Sequence, residues 1–440
     1  MSVQEDKISG IQYHPLLESL YEEMHSRPYH VIPGPAHITH FVLLNDDRQK
    51  VEQFVHFQSL FAAFEQPVPE RDQDSLQFET SQFRVRREVH LEFSAFTFIN
   101  FIVTQDPPFV QTGLTLLPQG WLEALPGMVI ANFHLALHSI NPEDKKLIST
   151  AKKSFEGYRL VGSSPQNGDA RVWTSFRLHS DGFGRFLICN ARMSDSQIGR
   201  LTQRLIEIET YRMMTLMALP LARVNAVTLA TMDQKLAKLT RQLASDDDVS
   251  EQHILVQLMA MAAQVEALRT STAFRYSATF AYYDLVLKRL NELREDEVSG
   301  HLSLTEFITR RLTPAVNTCR AVSDRLESLS LRIDRVSDMM RTKVELSIQE
   351  QNQLLLTSMD RRSRIQLMMQ HTVEGLSVAA ISYYSIGLVK YLIESMNLKQ
   401  LPLNKAQLVG ISVPLVIAGV WFFTRRVHLR FKKMGDDIKQ

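Results

Sequence analysis

The most regular hydrophobic pattern in the chain lies between residues 301 and 374. No Gly or Pro interrupts the sixty residues from Ala315 to Glu374, which at about 1.5 Å per residue predict a helix of roughly 90 Å. Apolar positions in it recur three and four apart, as in a coiled-coil seam: Cys319, Val322, Leu326, Leu329, Ile333, Val336 and Met340, then Val344, Ile348, Leu355 and Met359. The pattern fits a self-associating stalk and, equally, a long helix packed on its own domain.

Two signals mark the start of this helix. Ser303 and Glu306 have the spacing of a capping box. Thr313-Pro314 places a proline where a first helical turn tolerates one. We therefore expect the stalk to begin within residues 301–314.

Two uncharged apolar runs follow the stalk. Residues 375–389 carry no charged side chain, and the run extends to 393 when Lys390 reaches the membrane interface. Residues 406–423 form a second run of eighteen. Both lengths are near the minimum for crossing a bilayer, so we predict transmembrane helices at 375–393 and 406–424, joined by an outer loop at 394–405. A buried, soluble helical hairpin is the alternative.

Basic residues flank both runs. Arg361, Arg362 and Arg364 precede the first, and Arg425 and Arg426 open a basic tail, 425–440, after the second. Because basic residues favour the cytoplasmic side, we expect a multi-pass protein with both termini in the cytoplasm.

The first apolar run carries a polar stripe. Glu374, Ser377, Tyr384 and Tyr391 recur at helical spacing. Polar groups facing lipid are costly, so this face is expected to meet protein or water. Packing between helices of a homo-oligomer and the lining of a water-filled pore both satisfy that condition.

The first 191 residues have the pattern of an α+β domain with a mixed or antiparallel sheet. Alternating or apolar segments bounded by turn residues predict strands, and a helix is predicted from about Lys50 to Phe64. The predicted strands are Ala36–Leu44, Phe83–Phe93, Ser94–Val103 (pairing with or continuing the previous one), Gly127–His138, Arg159–Ser163, Ala170–His179 and Gly184–Asn190.

A helical region is predicted over 192–300. Ser194 and Gln197 resemble a capping box, and Pro220 predicts a break or kink. Further helices are expected at Leu221–Ala244 and Ser250–Arg294. The apolar stretch Met213–Ala222 is too short to span a membrane and predicts a buried helix.

Composition and motifs argue against several classes of protein. The net charge of +1 gives no general attraction to nucleic acid. The two cysteines, Cys189 and Cys319, have no pairing or metal-binding spacing, and the polar first twenty residues predict no signal peptide. The sequence contains no phosphate-binding loop, dinucleotide fingerprint, nucleophile elbow or zinc-protease motif, so neither an enzyme nor a cofactor is expected.

Several histidines are candidate metal ligands, but their spacing argues against a metal site. His37 and His40 fall on opposite faces of a strand. His134 and His138 lie on one face, about 13 Å apart along a strand. His25 and Arg27 lie near a helix end before Pro28, where capping and ion pairing are expected; contact with the stalk or a ligand is the alternative.

Five segments of the chain carry a resemblance to a known family: His14-Pro15-Leu16, Met24–Pro28, Glu207–Met214 (EIETYRMM), Ser358–Arg362 and Thr372–Val378. They resemble an uncharacterised bacterial family of unknown function, described as predicted membrane-anchored proteins. The resemblance covers nearly the full length and implies a C-terminal anchor in the inner membrane, without an activity.

The plan of a cytoplasmic domain, a long helix, two spans and a short outer loop also resembles CorA-type magnesium channels, which carry Gly-Met-Asn at the outer end of the first span. Here Ser395, Met396 and Asn397 occupy that place, with Ser instead of Gly. The resemblance implies that Asn397 would contact a hydrated cation, magnesium, and that the polar stripe would line a pore.

The expected function is therefore that of an anchored, oligomeric scaffold or regulator of unassigned activity, with partners unknown beyond the bilayer and further copies of the chain. A CorA-like cation channel is the alternative, and a membrane-tethered enzyme the third candidate.

Overall fold

The computed structural model describes residues 14–17, 20–21, 31–103, 107–139, 149, 152–244, 251–395 and 405–436. The chain divides into two compact units between Ser337 and Asp338. The first contains a sheet and several helices, and the second is helical in its described part. This architecture confirms the predicted α+β class.

The first unit is built on a nine-stranded mixed sheet. Its order is β2-β3-β4-β1-β5-β8-β7-β6-β9, and only the β5–β8 pair is parallel. The strands are β1 Ala36–Leu44, β2 Ser75–Glu79, β3 Phe83–Val89, β4 Phe93–Asn100, β5 Met128–Ser139, β6 Val161–Ser164, β7 Ala170–Thr174, β8 Gly184–Asn190 and β9 Glu295–Glu297.

The sheet corrects some strand predictions. The segment predicted as one strand from residue 83 to 93 ends at Val89; β4 then turns back and pairs with it, with Val89 opposite Ser94. The strand predicted to reach His179 ends at Thr174, where a tight loop begins. Both edge strands, β2 and β9, were missed because an edge strand needs little apolar sequence.

Six helices complete the described elements: α1 Asp47–Ala63, α2 Asp195–Leu216, α3 Ala218–Ala244, α4 Glu251–Leu293, α5 Leu304–Ser395 and α6 Lys405–Asp436. A tight turn at Pro165–Gly168 has two residues, Gln166 and Asn167, with positive φ. The capping box of Ser194 and Gln197 is present at the start of α2. The break expected at Pro220 lies at Met217 instead, because proline fits within the first turn of α3.

The long helix α5 begins at the capping signal, where Glu306 N donates to Ser303 Oγ over 3.1 Å. Pro314 lies well inside the helix, so its interpretation as a first-turn proline was wrong. The seam from Cys319 to Val336 is buried by the chain's own helices, and Arg325 and Arg332 of α5 both pair with Asp233 of α3. This part of the seam therefore packs within its own domain.

Two layers of helix enclose the sheet. On one face, α1 covers an aromatic core that includes Phe41, Phe57 and Phe98. On the other, α2, α4 and the start of α5 cover Ile38, Phe133 and neighbouring residues. Successive side chains of β3 point alternately to the two helical layers. Phe83 and Val85 point to the α1 layer and join the aromatic core. The intervening arginines, Arg84 and Arg86, face the α2 side and line cavities there.

The second unit comprises α5 from Asp338 onward and α6. The later seam positions, Ile348, Leu355 and Met359, are exposed in the single chain. The helix α5 continues to Ser395 without a break at the predicted 374/375 boundary. The described part of this unit is thus long helix with much of its apolar surface uncovered.

A polar cavity between the sheet and helix α2

The sheet side of the candidate site is a polar strip on β3 and β1, with its charges on β3. Arg86 and Glu88 form an ion pair of 2.8 Å, and both are buried. Arg86 and His40 are both cross-strand partners of Thr97 on β4. The pleat therefore places Arg86 and His40 on one face of the sheet, on either side of Thr97, because residues directly opposite in a sheet share a face.

Helices α2 and α4 provide the opposite wall. Gln203, Glu207 and Thr210 recur at helical spacing on one face of α2. Gln203 Nε2 donates to Glu207 Oε1 over 3.0 Å. Arg289 of α4 forms a short ion pair with the Glu207 carboxylate and a second one, of 3.0 Å, with Glu292. Like the sheet wall, the helical wall therefore carries one ion pair that faces the site, Arg289 with Glu207.

A cavity of about 190 Å³ separates the two walls. An adjoining chamber of about 30 Å³ shares Arg86, Gln203 and Ile206 with it and reaches Thr202 and Arg84. The Thr202 side chain is buried, and its hydroxyl has no hydrogen-bond partner among the described residues. The side chains of Glu207 and Arg289 keep 17% and 21% exposure, so the larger cavity is accessible from the helical side.

His40 is held neutral at the sheet wall. Its Nδ1 lies 2.9 Å from Thr97 Oγ1, and its Nε2 lies 3.3 Å from Thr210 Oγ1. Burial lowers the pKa of His40 to about 3, and the nearby His90 and Arg86 act in the same direction. His40 thus couples sheet and helix as a neutral hydrogen-bonding group.

Three further histidines lie on the other face of the sheet. His37 Nδ1 donates to the Gln111 carbonyl, and His37 Nε2 lies 3.0 Å from His138 Nε2. His134 Nδ1 lies 2.8 Å from Thr39 Oγ1, and that hydroxyl also accepts from Gly113 N. Burial lowers the pKa of His134 and of His138 to about 4 and also lowers that of His37. With His37 neutral and protonated on Nδ1, the proton between the two rings belongs to His138.

These contacts confirm that His37 and His40 point to opposite faces. The described residues contain no group of three or more His, Cys, Asp or Glu side chains arranged to hold a metal ion. Cys189 and Cys319 are free and buried. Burial raises the pKa of the Cys189 thiol to about 12.

A serine, a histidine and a glutamate also meet, in an arrangement that the sequence did not indicate. Ser175 Oγ lies 3.1 Å from His179 Nε2, and Glu156 Oε2 lies 3.5 Å from His179 Nδ1. The hydroxyl is buried and accepts from Arg177 N. The imidazole packs against Phe155 and a neighbouring tyrosine. These contacts close the loop after β7 and leave the hydroxyl little room to meet a substrate.

The predicted membrane residues are only partly described. On α5, Ser377 Oγ donates to Val373 O over 2.8 Å, Tyr384 and Tyr391 are exposed in the single chain, and Glu374 lies 3.7 Å from His371. Ser395 ends α5 with its hydroxyl bonded to Leu392 O. Four predicted residues lie outside the described residues: His25, Arg27, Met396 and Asn397.

The basic flanks are exposed. Arg361 and Arg362 are open to solvent, and Arg364 pairs with Asp360 over 3.0 Å. Arg425 lies over the Trp421 ring, 5.0 Å from its centre, with Arg426 exposed beside it. These positions leave the positive charge available to a surface.

The cavity itself was missed from the sequence. The alternation of β3 predicted a strand and gave no sign that its polar side is covered, whereas α2 covers that side. One signal pointed to it: the segment Glu207–Met214, singled out by the family resemblance, supplies Glu207, Thr210 and Tyr211 to the cavity wall. Charged residues on alternate positions of a strand and on one helix face are the combination that would indicate such a site.

Comparison with known proteins gives a family and no activity. No curated protein and no solved structure matches the chain, so the CorA resemblance receives no support from either. The model of the family described as "Protein of unknown function (DUF3422)" matches residues 12–431, nearly the full length. The chain therefore belongs to the DUF3422 family.

Proposed function

We propose that this protein is an oligomeric, membrane-anchored scaffold or regulator whose N-terminal α+β domain works in the cytoplasm. In this proposal residues 375–393 and 406–424 cross the inner membrane of a bacterium, and 394–405 form the outer loop. The domain binds rather than catalyses. The anchor keeps that binding at the membrane surface.

The exposure of the apolar helices carries the proposal. Three helical stretches are long and apolar enough to cross a membrane by length and composition. In Asp195–Leu243 the most apolar window is 33% buried, whereas the corresponding values are 6% in α5 and 0% in α6. Uncovered apolar surface of this extent is unfavourable in water, and a bilayer removes that cost.

The topology follows from the flanking charges. Arg361, Arg362 and Arg364 on one side and Arg425 and Arg426 on the other support cytoplasmic ends for both spans. A Trp421 ring next to Arg425 is typical of a membrane interface. Both supports are local to the spans and independent of the fold of the sheet domain.

Labelling of introduced cysteines in intact cells tests the anchor. The native cysteines are buried, so single variants give a clean signal. We expect Ser395→Cys to react with an impermeant maleimide added outside, and Ser358→Cys to react only after lysis. The protein should stay in the membrane fraction after alkaline carbonate. Release by carbonate, or labelling of Ser358→Cys in intact cells, would refute the topology.

The exposed later seam supports self-association. Ile348, Leu355 and Met359 lie on α5 outside both the sheet domain and the predicted spans. Native mass spectrometry in gentle detergent is expected to show a defined oligomer that Leu355→Lys weakens. Gln353→Lys, the same charge introduced at a polar position on the opposite side of the helix, should leave the oligomer intact. A monomer at all concentrations would contradict this part of the proposal.

The channel alternative rests on two features of the sequence. One is the resemblance at Ser395, Met396 and Asn397, and the other is the polar stripe from Glu374 to Tyr391 on α5. The same mass spectrometry, repeated with and without millimolar magnesium, decides between the two functions. A pentamer that responds to magnesium would replace the scaffold by the channel. Insensitivity to magnesium would support the scaffold.

A further inference from the structure

We propose that the cavity between the sheet and α2 binds a compact zwitterion, an α-amino acid, with its carboxylate towards Arg86 and Thr202 and its ammonium towards Glu207. The inference concerns the soluble domain alone. It holds or fails independently of the membrane anchor.

The charge of the walls selects the ligand class. Among the Arg, Lys, Asp and Glu side chains that line the larger cavity, two are cationic, Arg86 and Arg289, and two are anionic, Glu88 and Glu207. A ligand with a net charge would unbalance this compensated site in a medium that screens poorly. A ligand with one charge of each sign keeps the balance and gives each of its ends an opposite charge.

The arrangement of those charges favours a ligand whose positive and negative groups lie at different ends. One ion pair, Arg86–Glu88, belongs to the sheet, and the other, Glu207–Arg289, belongs to the helices. The two pairs therefore face the same space from different elements. Arg289 also pairs with Glu292, so Glu207 can turn part of its hydrogen-bonding capacity to an ammonium group without leaving Arg289 unpaired.

The smaller chamber is the place for the carboxylate. Its volume, about 30 Å³, is much smaller than that of the larger cavity and exceeds the minimum that one water molecule needs, so it has room for a small polar group. It contains the buried Thr202 hydroxyl, which has no partner among the described residues. Such a group costs free energy unless something bonds to it. A ligand oxygen lying between Thr202 and Arg86 would supply that bond.

The cavity also has the features of a small-molecule site in general. It is concave, its polar groups converge from two strands and two helices, and apolar side chains, Phe93, Ala95 and Ile206, lie between them. Mixed apolar lining with a few placed polar groups is typical of ligand pockets. The aliphatic and aromatic part of the lining would accept the side chain of the amino acid.

Isothermal titration calorimetry on the full chain in detergent tests the proposal. The probes are the twenty common L-α-amino acids, with succinate as a doubly negative control and putrescine as a doubly positive one. We expect saturable binding of at least one amino acid with one site per chain. We also expect binding of both controls to be at least tenfold weaker.

Two variants link the binding to the cavity. Thr202→Val replaces an unbonded hydroxyl by a methyl group of similar size, so the urea midpoint should hold or rise while affinity falls about 10- to 100-fold, the worth of a hydrogen bond to a charged group. Glu207→Gln keeps the shape and the bond to Gln203, and it should weaken binding at least tenfold. Glu306→Gln, the same change in the exposed Glu306–Arg310 pair of α5, should leave affinity unchanged.

Three results would overturn the inference. They are no binding by any of the twenty amino acids, tighter binding of succinate or putrescine, and unchanged affinity in both cavity variants. None of these results bears on the membrane anchor, which cysteine labelling tests separately.

Discussion

The buried histidines predict that the sheet domain loses stability under mild acid. Burial lowers the pKa of His40 to about 3 and those of His134 and His138 to about 4, whereas the ordinary value is about 6.5. Between these limits the unfolded chain binds more protons than the folded one. Stability is therefore highest above pH 6.5 and falls as the pH drops towards the folded pKa values.

The size of the effect follows from the pKa values. At pH 5.0 the three histidines of the folded domain are still mostly neutral, while those of the unfolded chain are protonated at 1.5 pH units below their ordinary pKa. Each therefore lowers the free energy of unfolding by about 2 kcal/mol relative to pH 7.5, or about 6 kcal/mol for the three. His37 and His179, whose pKa values burial also lowers, act in the same direction.

Urea unfolding at pH 7.5 and pH 5.0, in detergent, measures this difference. Trp121 and Trp173 are buried in the sheet domain, and Trp421→Phe removes the tryptophan of α6, so the fluorescence reports on the domain alone. His40→Gln should reduce the difference from about 6 to about 4 kcal/mol. His253→Gln, at an exposed position of α4, is the matched control and should keep it.

The reasoning is refuted if the wild-type difference is under about 2 kcal/mol. It is also refuted if His40→Gln and His253→Gln change the difference equally. The choice of pH 5.0 keeps the carboxylates out of the comparison. A hydrogen bond to Ser180 lowers the pKa of Glu156. Burial acts to raise the pKa of Asp181, but hydrogen bonds from Arg185 and Phe183 N lower it further than burial raises it. Both carboxylates therefore lose their charge only at lower pH.

Two further substitutions test packing around the sheet. Gly113→Ala would place a Cβ 2.3 Å from Phe98 O and 2.6 Å from Thr39 N. Because backbone atoms cannot move aside, the free energy of unfolding measured in urea should fall by on the order of 3 kcal/mol. Gly375→Ala, where no atom lies within 4 Å of the new Cβ, should not lower it. Asp72→Ala leaves the fully buried Arg87 guanidinium without its carboxylate and should cost roughly 3 kcal/mol. Asp47→Ala, which breaks an exposed pair, should cost less than about 1 kcal/mol in the same assay.

The long elements could be predicted because their signals are local. The start of α2 at Ser194 and of α5 at Ser303 follow from capping residues, and α4 was predicted to within one residue at each end. The strand β9, three acidic residues long, carries no local signal at all. It exists because β6 offers an unpaired edge beside it, which is a property of the assembled sheet.

The cavity could not be predicted for a similar reason. An alternating strand exposes its polar face to water in most antiparallel sheets. The sequence of β3 alternates in the same way, although its polar face is covered by α2. Whether a second layer covers the polar face depends on where α2 packs, and α2 lies more than a hundred residues later in the chain. Only the joint presence of charges on β3 and on one face of α2 distinguishes a buried polar site from a solvated strand.

Hydropathy alone does not decide which helices of this chain are candidates to cross a membrane. The stretch Asp195–Leu243 passes the same test of length and composition as α5 and α6. Its apolar part lies where α2 passes into α3, and Met214, Ala218 and Leu229 there are fully buried in the fold. What separates the three is how much of the apolar window the fold already covers, which is 33% in the α2–α3 stretch, 6% in α5 and 0% in α6. By this criterion the α2–α3 stretch belongs to the sheet domain, and in the function proposed above the bilayer covers the apolar surface of α5 and α6. An Arg introduced at Leu205 should therefore unfold the domain, whereas an Arg at Leu415 should leave its urea midpoint unchanged and prevent stable membrane insertion.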